Sequence, residues 1–150
     1  MAITKDDNET GIVLEDLSLM FSRRDGFINT LGAEITDLGP GTATVCMSVG
    51  EDHLSFNGSC HGGVIFSLAD IAFGVSSNSH GVVAAGIDAH IVYQAAAYAG
   101  EILTARSREM SRSRKIASYR IEVESDKTGL IATFTGTVYI IGIPHSVEVA

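Results

Sequence analysis

At 150 residues, with 45% apolar and 19% charged side chains, the chain is long enough for one domain with a single substantial core and far from the composition of a disordered protein. A net charge of −8 argues against a general nucleic-acid binder, because phosphate contacts need clustered cations on a basic surface. The two cysteines, Cys46 and Cys60, form no CxxC pair and are too few for a disulfide framework, which fits a reducing compartment.

In chain order, residues 1–10 read as a disordered tail and 11–150 as a single domain. Met1 to Asp7 is polar and acidic, without the charged-then-apolar order of a secretory signal. No apolar run reaches the roughly 18 residues of a membrane span, so a soluble cytoplasmic protein is expected. Val13, Leu14, Leu17, Met20 and Phe21 fall at helical spacing and predict a short amphipathic helix ending near Arg24-Asp25-Gly26. Phe27 to Thr36 and Thr42 to Val49 read as strands joined by the turn Asp37-Leu38-Gly39-Pro40-Gly41, and Glu51 to Cys60 as a loop.

One long buried helix is expected from His61 to about Ser77. Beyond it, Val82 to Tyr93, Glu101 to Met110, Arg114 to Glu124 and Leu130 to Ile141 are rich in β-branched and aromatic residues and read as strands. The expected architecture is α+β, an antiparallel sheet of five or six strands with one helix inserted in the strand order. That helix is apolar on almost every face and must be covered on all sides, whereas one curved sheet wraps only part of it. A second subunit is therefore expected against the remainder.

The chemistry concentrates where this helix begins. His61-Gly62-Gly63 predicts a helix start with bare backbone amides, a place where developing negative charge can be held. Asp70 follows among Val64, Ile65, Phe66, Leu68, Ala69, Ile71, Ala72 and Phe73, and an ionised group in apolar surroundings is expensive unless it is paired or used. The functional reading makes Gly62 an oxyanion donor and Asp70 a general base or nucleophile in acyl chemistry. The structural alternative makes Gly62-Gly63 a tight-packing pair, with Asp70 satisfied by Ser67, Ser77 or an arginine. On one helix, eight positions amount to about 12 Å of rise and about 80° of rotation, so the two groups cannot meet on one substrate within a chain. Two antiparallel copies of the helix would bring them together, giving two equivalent sites per dimer. His61 invites a His–Asp dyad, but His61 and Asp70 fall on opposite faces of one helix, so a dyad would have to form across subunits; otherwise His61 has a structural or substrate-orienting role.

His53, His61, His80, His90 and His145 show no metal-ligand spacing, and neither cysteine completes a zinc pair, so no metal site is expected. There is no GxSxG elbow and no Walker loop. Six of the ten Lys and Arg residues lie between Arg106 and Arg120. Strand alternation places Arg106 with Arg108, and Arg112 with Arg114, on a shared face. This local basic patch suits a small phosphate-bearing anion, or else it is an ordinary solvated face.

The run Ser59-Cys60-His61-Gly62-Gly63-Val64-Ile65-Phe66-Ser67-Leu68-Ala69-Asp70-Ile71-Ala72-Phe73, with Gly86-Ile87-Asp88 and Phe134-Thr135-Gly136-Thr137, resembles the hotdog-fold acyl-CoA thioesterases of phenylacetic acid degradation, the PaaI type. The resemblance covers roughly Phe27 to Ile141. It implies a curved sheet wrapped around the central helix, dimers pairing into a tetramer, and hydrolysis of acyl-CoA thioesters without metal or bound cofactor, coenzyme A being part of the substrate. Carried onto this chain, it implies Asp70 as the catalytic carboxylate, Gly62 of the partner chain as the oxyanion-binding amide, and His61 as support for the loop. Gly63 joins the substrate-binding surface, and the CoA phosphates lie near Arg112, Arg114 and Lys115. Two departures stand out. The family's asparagine six residues before the HGG histidine, which contacts the substrate or the attacking water, is Ser55 here with Asn57 nearby, so either Asn57 reaches in from a shifted loop or Ser55 does part of that work. The turn after the next strand, often containing proline, is Gln94-Ala95-Ala96-Ala97.

The expected activity is hydrolysis of an aryl-acetyl-CoA such as phenylacetyl-CoA or hydroxyphenylacetyl-CoA. Hydration or dehydration of an acyl-CoA on the same fold, and non-catalytic acyl-CoA binding, are the alternatives.

Overall fold

Helix α3 (Gly62–Ser77) is the element against which the other parts are laid. The computed structural model describes residues 11–147, so the tail expected over residues 1–10 lies outside the described residues. Two N-terminal helices, α1 (Leu14–Arg24) and α2 (Gly26–Leu31), lead into strands β1 (Glu34–Gly39) and β2 (Thr42–Ser48). After α3 come β3 (Val82–Tyr93), β4 (Ile102–Arg112), β5 (Ile116–Ser125) and β6 (Gly129–Pro144). All pairings are antiparallel and the sheet order is β1-β2-β4-β5-β6-β3. This is the α+β architecture expected, with six strands.

Period-two alternation gives the sheet its two faces. Leu103, Ala105, Ala117, Tyr119, Ile121, Val123, Phe134 and Val138 point inward and are buried against α3. Phe73 of α3 meets the rings of Tyr119 and Phe134 edge-on or tilted, with centroids 5.8 and 5.6 Å away. Such aromatic pairs add about 0.5–1.5 kcal/mol each beyond area burial. Two glycines make the approach possible. A Cβ on Gly136 would stand 2.7 Å from the Phe73 ring and one on Gly86 3.0 Å.

Three expectations are corrected. Phe27–Leu31 is helical, and the strand begins only at Glu34. Asp25 caps this short helix, its Oδ1 accepting from the Phe27 and Ile28 N–H groups at 3.0 and 3.2 Å, and Gly32 closes it at φ 73°. The cap and the burial of Ile28 and Leu31 outweigh the strand propensity of Phe, Ile and Thr. The arginine parity also breaks. Arg106 and Arg108 share a face of β4 as expected, but Arg114 lies in the turn between β4 and β5, off the strand that would pair it with Arg112. Finally, α3 is not apolar all round. Its sheet-facing side is buried, but Gly63 and Asp70 are exposed, with Ser67 and Gly74 half-buried at i+4 and i+11 from Gly63. The uncovered stripe is small and polar. Beside it β3 is an edge strand, exposed from Ala85 to His90.

Candidate active site

The start of α3 is held from three sides. A bridge pairs Leu54 with Cys60, the Cys60 N–H donates to the Ala97 carbonyl at 2.8 Å, and the His61 N–H donates to the His53 carbonyl at 2.8 Å. Ala97 is placed by Glu101, almost closed to solvent, whose carboxylate accepts from the Tyr98 N–H, Ser125 Oγ and Thr128 Oγ1. The two hydroxyl donors hold the Glu101 carboxyl below its ordinary value.

Four N–H groups at a helix start have no partner within the helix. Here three are satisfied from outside the ladder. His61 donates to His53, Gly63 donates to the His61 Nδ1 at 2.8 Å, and Val64 donates to the His61 carbonyl at 2.9 Å. Among the described residues none accepts from the Gly62 N–H. It is the open donor of the helix start, and it borders a cavity of about 350 Å³ lined by Ser59, Cys60, Ile65, Tyr93, Gln94 and Ala95. Burial, then the Glu101 charge, pushes the Cys60 thiol up to about 11.

Asp70 lies on the uncovered stripe of α3, exposed on the free protomer rather than enclosed among its apolar neighbours. The partners considered for it go elsewhere. Ser67 Oγ donates to the Gly63 carbonyl at 2.6 Å and Ser77 Oγ to the Gly74 carbonyl at 3.1 Å. Among the described residues no hydrogen bond or ion pair reaches the Asp70 carboxylate. Protein crowding it on one side, and then the negative charge of Asp25, hold its carboxyl above the usual aspartate value. The cavity at Gly62 does not include Asp70.

A family profile described as "Thioesterase superfamily" matches residues 57–132, from Asn57 through the whole of α3 to β6. The chain belongs to the thioesterase superfamily. A protein of Archaeoglobus fulgidus named "Putative esterase" is 44% identical over 117 residues, 78% of this chain and 76% of that one. The acyl-coenzyme A thioesterase PaaI of Escherichia coli is 34% identical over 118 residues, 79% and 84% of the two chains. The structure of E. coli PaaI, from the phenylacetic acid degradation operon, superposes with a TM-score of 0.85 over 89% of this chain and 96% of that one, at 30% identity. A Streptococcus mutans protein bound to acetyl CoA aligns at 25% identity and a TM-score of 0.72, over 75% and 91% of the chains. The sheet order and central helix are those of the hotdog fold.

In this thioesterase the loop before α3 is tied to itself. Asn57 Oδ1 accepts from Ser55 Oγ, from the Ser59 N–H at 3.2 Å and from Ser59 Oγ at 2.8 Å, while Ser55 Oγ also reaches the Ser59 carbonyl at 3.1 Å. Both side chains serve the 55–59 turn, and neither borders the Gly62 cavity.

The predicted cations come together at the opposite end of the sheet. Arg112, Arg114 and Lys115 line a cavity of about 540 Å³ with Val82, Ile140 and Gly142. Arg112 is partly neutralised by Glu109 at 3.6 Å, and Glu109 Oε1 also accepts from Tyr119 Oη at 2.9 Å and contacts His80 Nε2 at 3.1 Å. Lys115 Nζ sits 5.5 Å from the Tyr139 ring centroid. Arg114 is left without an ion pair among the described residues.

Sequence reading missed Tyr93 and Asp25. Tyr93 Oη donates to the Gly62 carbonyl at 3.0 Å across 31 residues of chain. No spacing rule carries that contact, although an aromatic residue closing the strand after the helix was visible. Asp25 had a local signal, since it opens a capping pattern before Gly26, but its nearness to Asp70 is tertiary. No cluster of three or more His, Cys, Asp or Glu residues suited to a metal is found among the described residues, and none of their helices is long and apolar enough to cross a membrane.

Proposed function

We propose that this thioesterase hydrolyses aryl-acetyl-CoA esters, such as phenylacetyl-CoA or hydroxyphenylacetyl-CoA, to the free acid and coenzyme A. One observation carries the reading: among the described residues, α3 holds an open N–H at Gly62 and an unpartnered carboxylate at Asp70, two complementary groups about 12 Å apart along the helix. The acyl-CoA substrate is supported by the kinship with E. coli PaaI and by the acetyl CoA held by the S. mutans protein.

The working unit is a dimer. Antiparallel pairing of two β3 edges about a twofold axis continues the sheet and sets the two α3 helices antiparallel, so that Gly62 of one subunit stands beside Asp70 of the other. Such pairing also places the Val82 end of one β3, with Arg112, Arg114 and Lys115, next to the Tyr93 end of its partner. The nucleotide phosphates of CoA then meet a basic cavity near the helix-start site. Two dimers pair as a tetramer, and the enzyme works in the cytoplasm with no cofactor beyond the CoA of its substrate.

In the reaction the Gly62 N–H donates to the thioester oxygen as negative charge develops there. Asp70 of the other subunit, ionised, takes a proton from water while the water oxygen bonds to the carbonyl carbon. The carbon–sulfur bond breaks, and the thiolate leaves to become the CoA thiol. Alternatively the carboxylate attacks directly and water opens the resulting anhydride. Net, one thioester and one water give one acid and one thiol. Hydration chemistry wants a histidine–carboxylate pair; within one chain His61 and Asp70 lie on opposite helix faces and His61 Nδ1 is engaged by the Gly63 N–H, so such a pair would have to form across subunits through Nε2.

The test is thiol release, followed with a thiol-reactive dye, from phenylacetyl-CoA, acetyl-CoA and a long-chain acyl-CoA. Faster release from the aryl ester is expected. Binding of all three without release would make the protein an acyl-CoA binder, and loss of an enoyl-CoA chromophore would make it a hydratase.

A further inference from the structure

The helix start carries two adjacent glycines, the residues least able to fix their own backbone. An oxyanion donor nevertheless has to point at one place before the substrate arrives. The peptide unit joining Gly62 and Gly63 is held at both ends. Its carbonyl accepts from Tyr93 Oη at 3.0 Å, and its N–H donates to His61 Nδ1 at 2.8 Å. A planar peptide gripped at both ends cannot rotate without losing both bonds. The tyrosine ring adds a steric stop, since a Cβ on Gly62 would stand 3.3 Å from its Cζ.

Tyr93 itself is anchored in the sheet. It faces Ala132 on β6, and just beyond it the Gln94 and Ala95 N–H groups both donate to the Ile131 carbonyl, at 2.8 and 3.2 Å. Gln94 Nε2 donates to Thr133 Oγ1 at 3.0 Å. The hydroxyl thus ties the first turn of α3 to the end of β3, and the ring remains half open to the cavity that Gly62 borders.

We infer that Tyr93 is the positioning residue of the oxyanion site: with His61 it clamps the Gly62–Gly63 peptide and thereby aims the neighbouring Gly62 N–H. The inference rests on the thioesterase reading and extends it to a residue that touches the donor's own backbone rather than the reacting atoms.

The test is Tyr93→Phe, which keeps the ring and removes the hydroxyl, compared with His61→Ala and with the double variant. We expect kcat on the best CoA ester to fall about tenfold in Tyr93→Phe with KM within about twofold, because small misplacement of a donor costs turnover more than ground-state binding. Losses in the double variant should be smaller than the product of the single losses, since loss of either bond already loosens the clamp that the two make together. Glycine-labelled NMR supplies a second readout: Gly62 and Gly63 amide signals should shift and broaden in Tyr93→Phe while glycines elsewhere stay put. Native kcat with unchanged glycine amides would overturn the inference. So would a change in KM alone, which would make Tyr93 a substrate contact. If the native protein releases no thiol from any ester, the thioesterase reading fails, while the NMR comparison still decides whether the clamp exists.

Discussion

Asp25 stands near enough to Asp70 for its negative charge to help hold the Asp70 carboxyl above the ordinary aspartate value, second only to the crowding of Asp70 itself. The charge is fixed in place, because Asp25 Oδ1 is engaged by the Phe27 and Ile28 N–H groups at the start of α2. Asp25→Asn keeps an oxygen for this cap and removes the charge. Asp70 should then ionise at lower pH. Since the ionised form is the active one in either mechanism, the acid limb of kcat/KM should move to lower pH, and a pH–rate profile checks it. A limb that stays where it was would show that the two carboxylates do not communicate.

Asp70→Asn should lose roughly 10²–10⁴ in turnover while still binding CoA esters, as expected for removal of a general base or nucleophile. The same change carries a stability prediction. The folded value of Asp70 lies above its unfolded value of about 3.9, so the ionised carboxylate opposes folding. The asparagine variant should be the more stable protein at neutral pH. Its advantage should shrink as pH falls through the folded value and vanish below the unfolded one. Urea midpoints at pH 7.5 and near pH 4 read this directly.

Gly136→Ala should destabilise the fold by about 1–3 kcal/mol, the usual cost of overpacking a filled core. The new methyl would sit 2.7 Å from the Phe73 ring, which is itself flanked by Tyr119 and Phe134 and has nowhere to retreat. Gly142, with open space around it at φ 83°, offers a contrast in which conformation rather than room sets the cost. Thermal melts of Gly136→Ala beside Gly136→Ala/Phe73→Leu test the steric origin, because the smaller side chain should recover part of the loss.

Replacing Arg114 and Lys115 together by alanine should raise KM for a CoA ester about tenfold with little change in kcat, as lost charge–phosphate contacts act on binding. A thioester of the same acid lacking the nucleotide should be hydrolysed equally by native and variant proteins. A KM that rises equally for both substrates would place the CoA phosphates elsewhere.

Much of the candidate site was legible because its parts are close in sequence. His61, Gly62 and Asp70 lie on one helix whose start and apolar run are written in consecutive residues, so their spacing already implied that one chain cannot bring them together. Other parts were not. The segment from Phe27 to Leu31 looked like strand by propensity, and only the Asp25 cap and the burial of Ile28 and Leu31 made it helix. The pairing of Arg112 with Arg114 failed for a different reason, since β4 ends at Arg112 and strand alternation does not reach Arg114 in the turn beyond it.

What the sequence determined by itself is what short-range physics controls: periodic apolar residues, glycine at a helix start, and the fixed rise of a helix between Gly62 and Asp70. The tertiary structure alone decided that the Tyr93 hydroxyl closes on the Gly62 carbonyl and that Asp25 stands by Asp70. Contacts of this kind arise when the sheet closes around α3 and brings distant segments to within hydrogen-bond or Coulomb reach, a placement that depends on the whole strand order and on no local pattern.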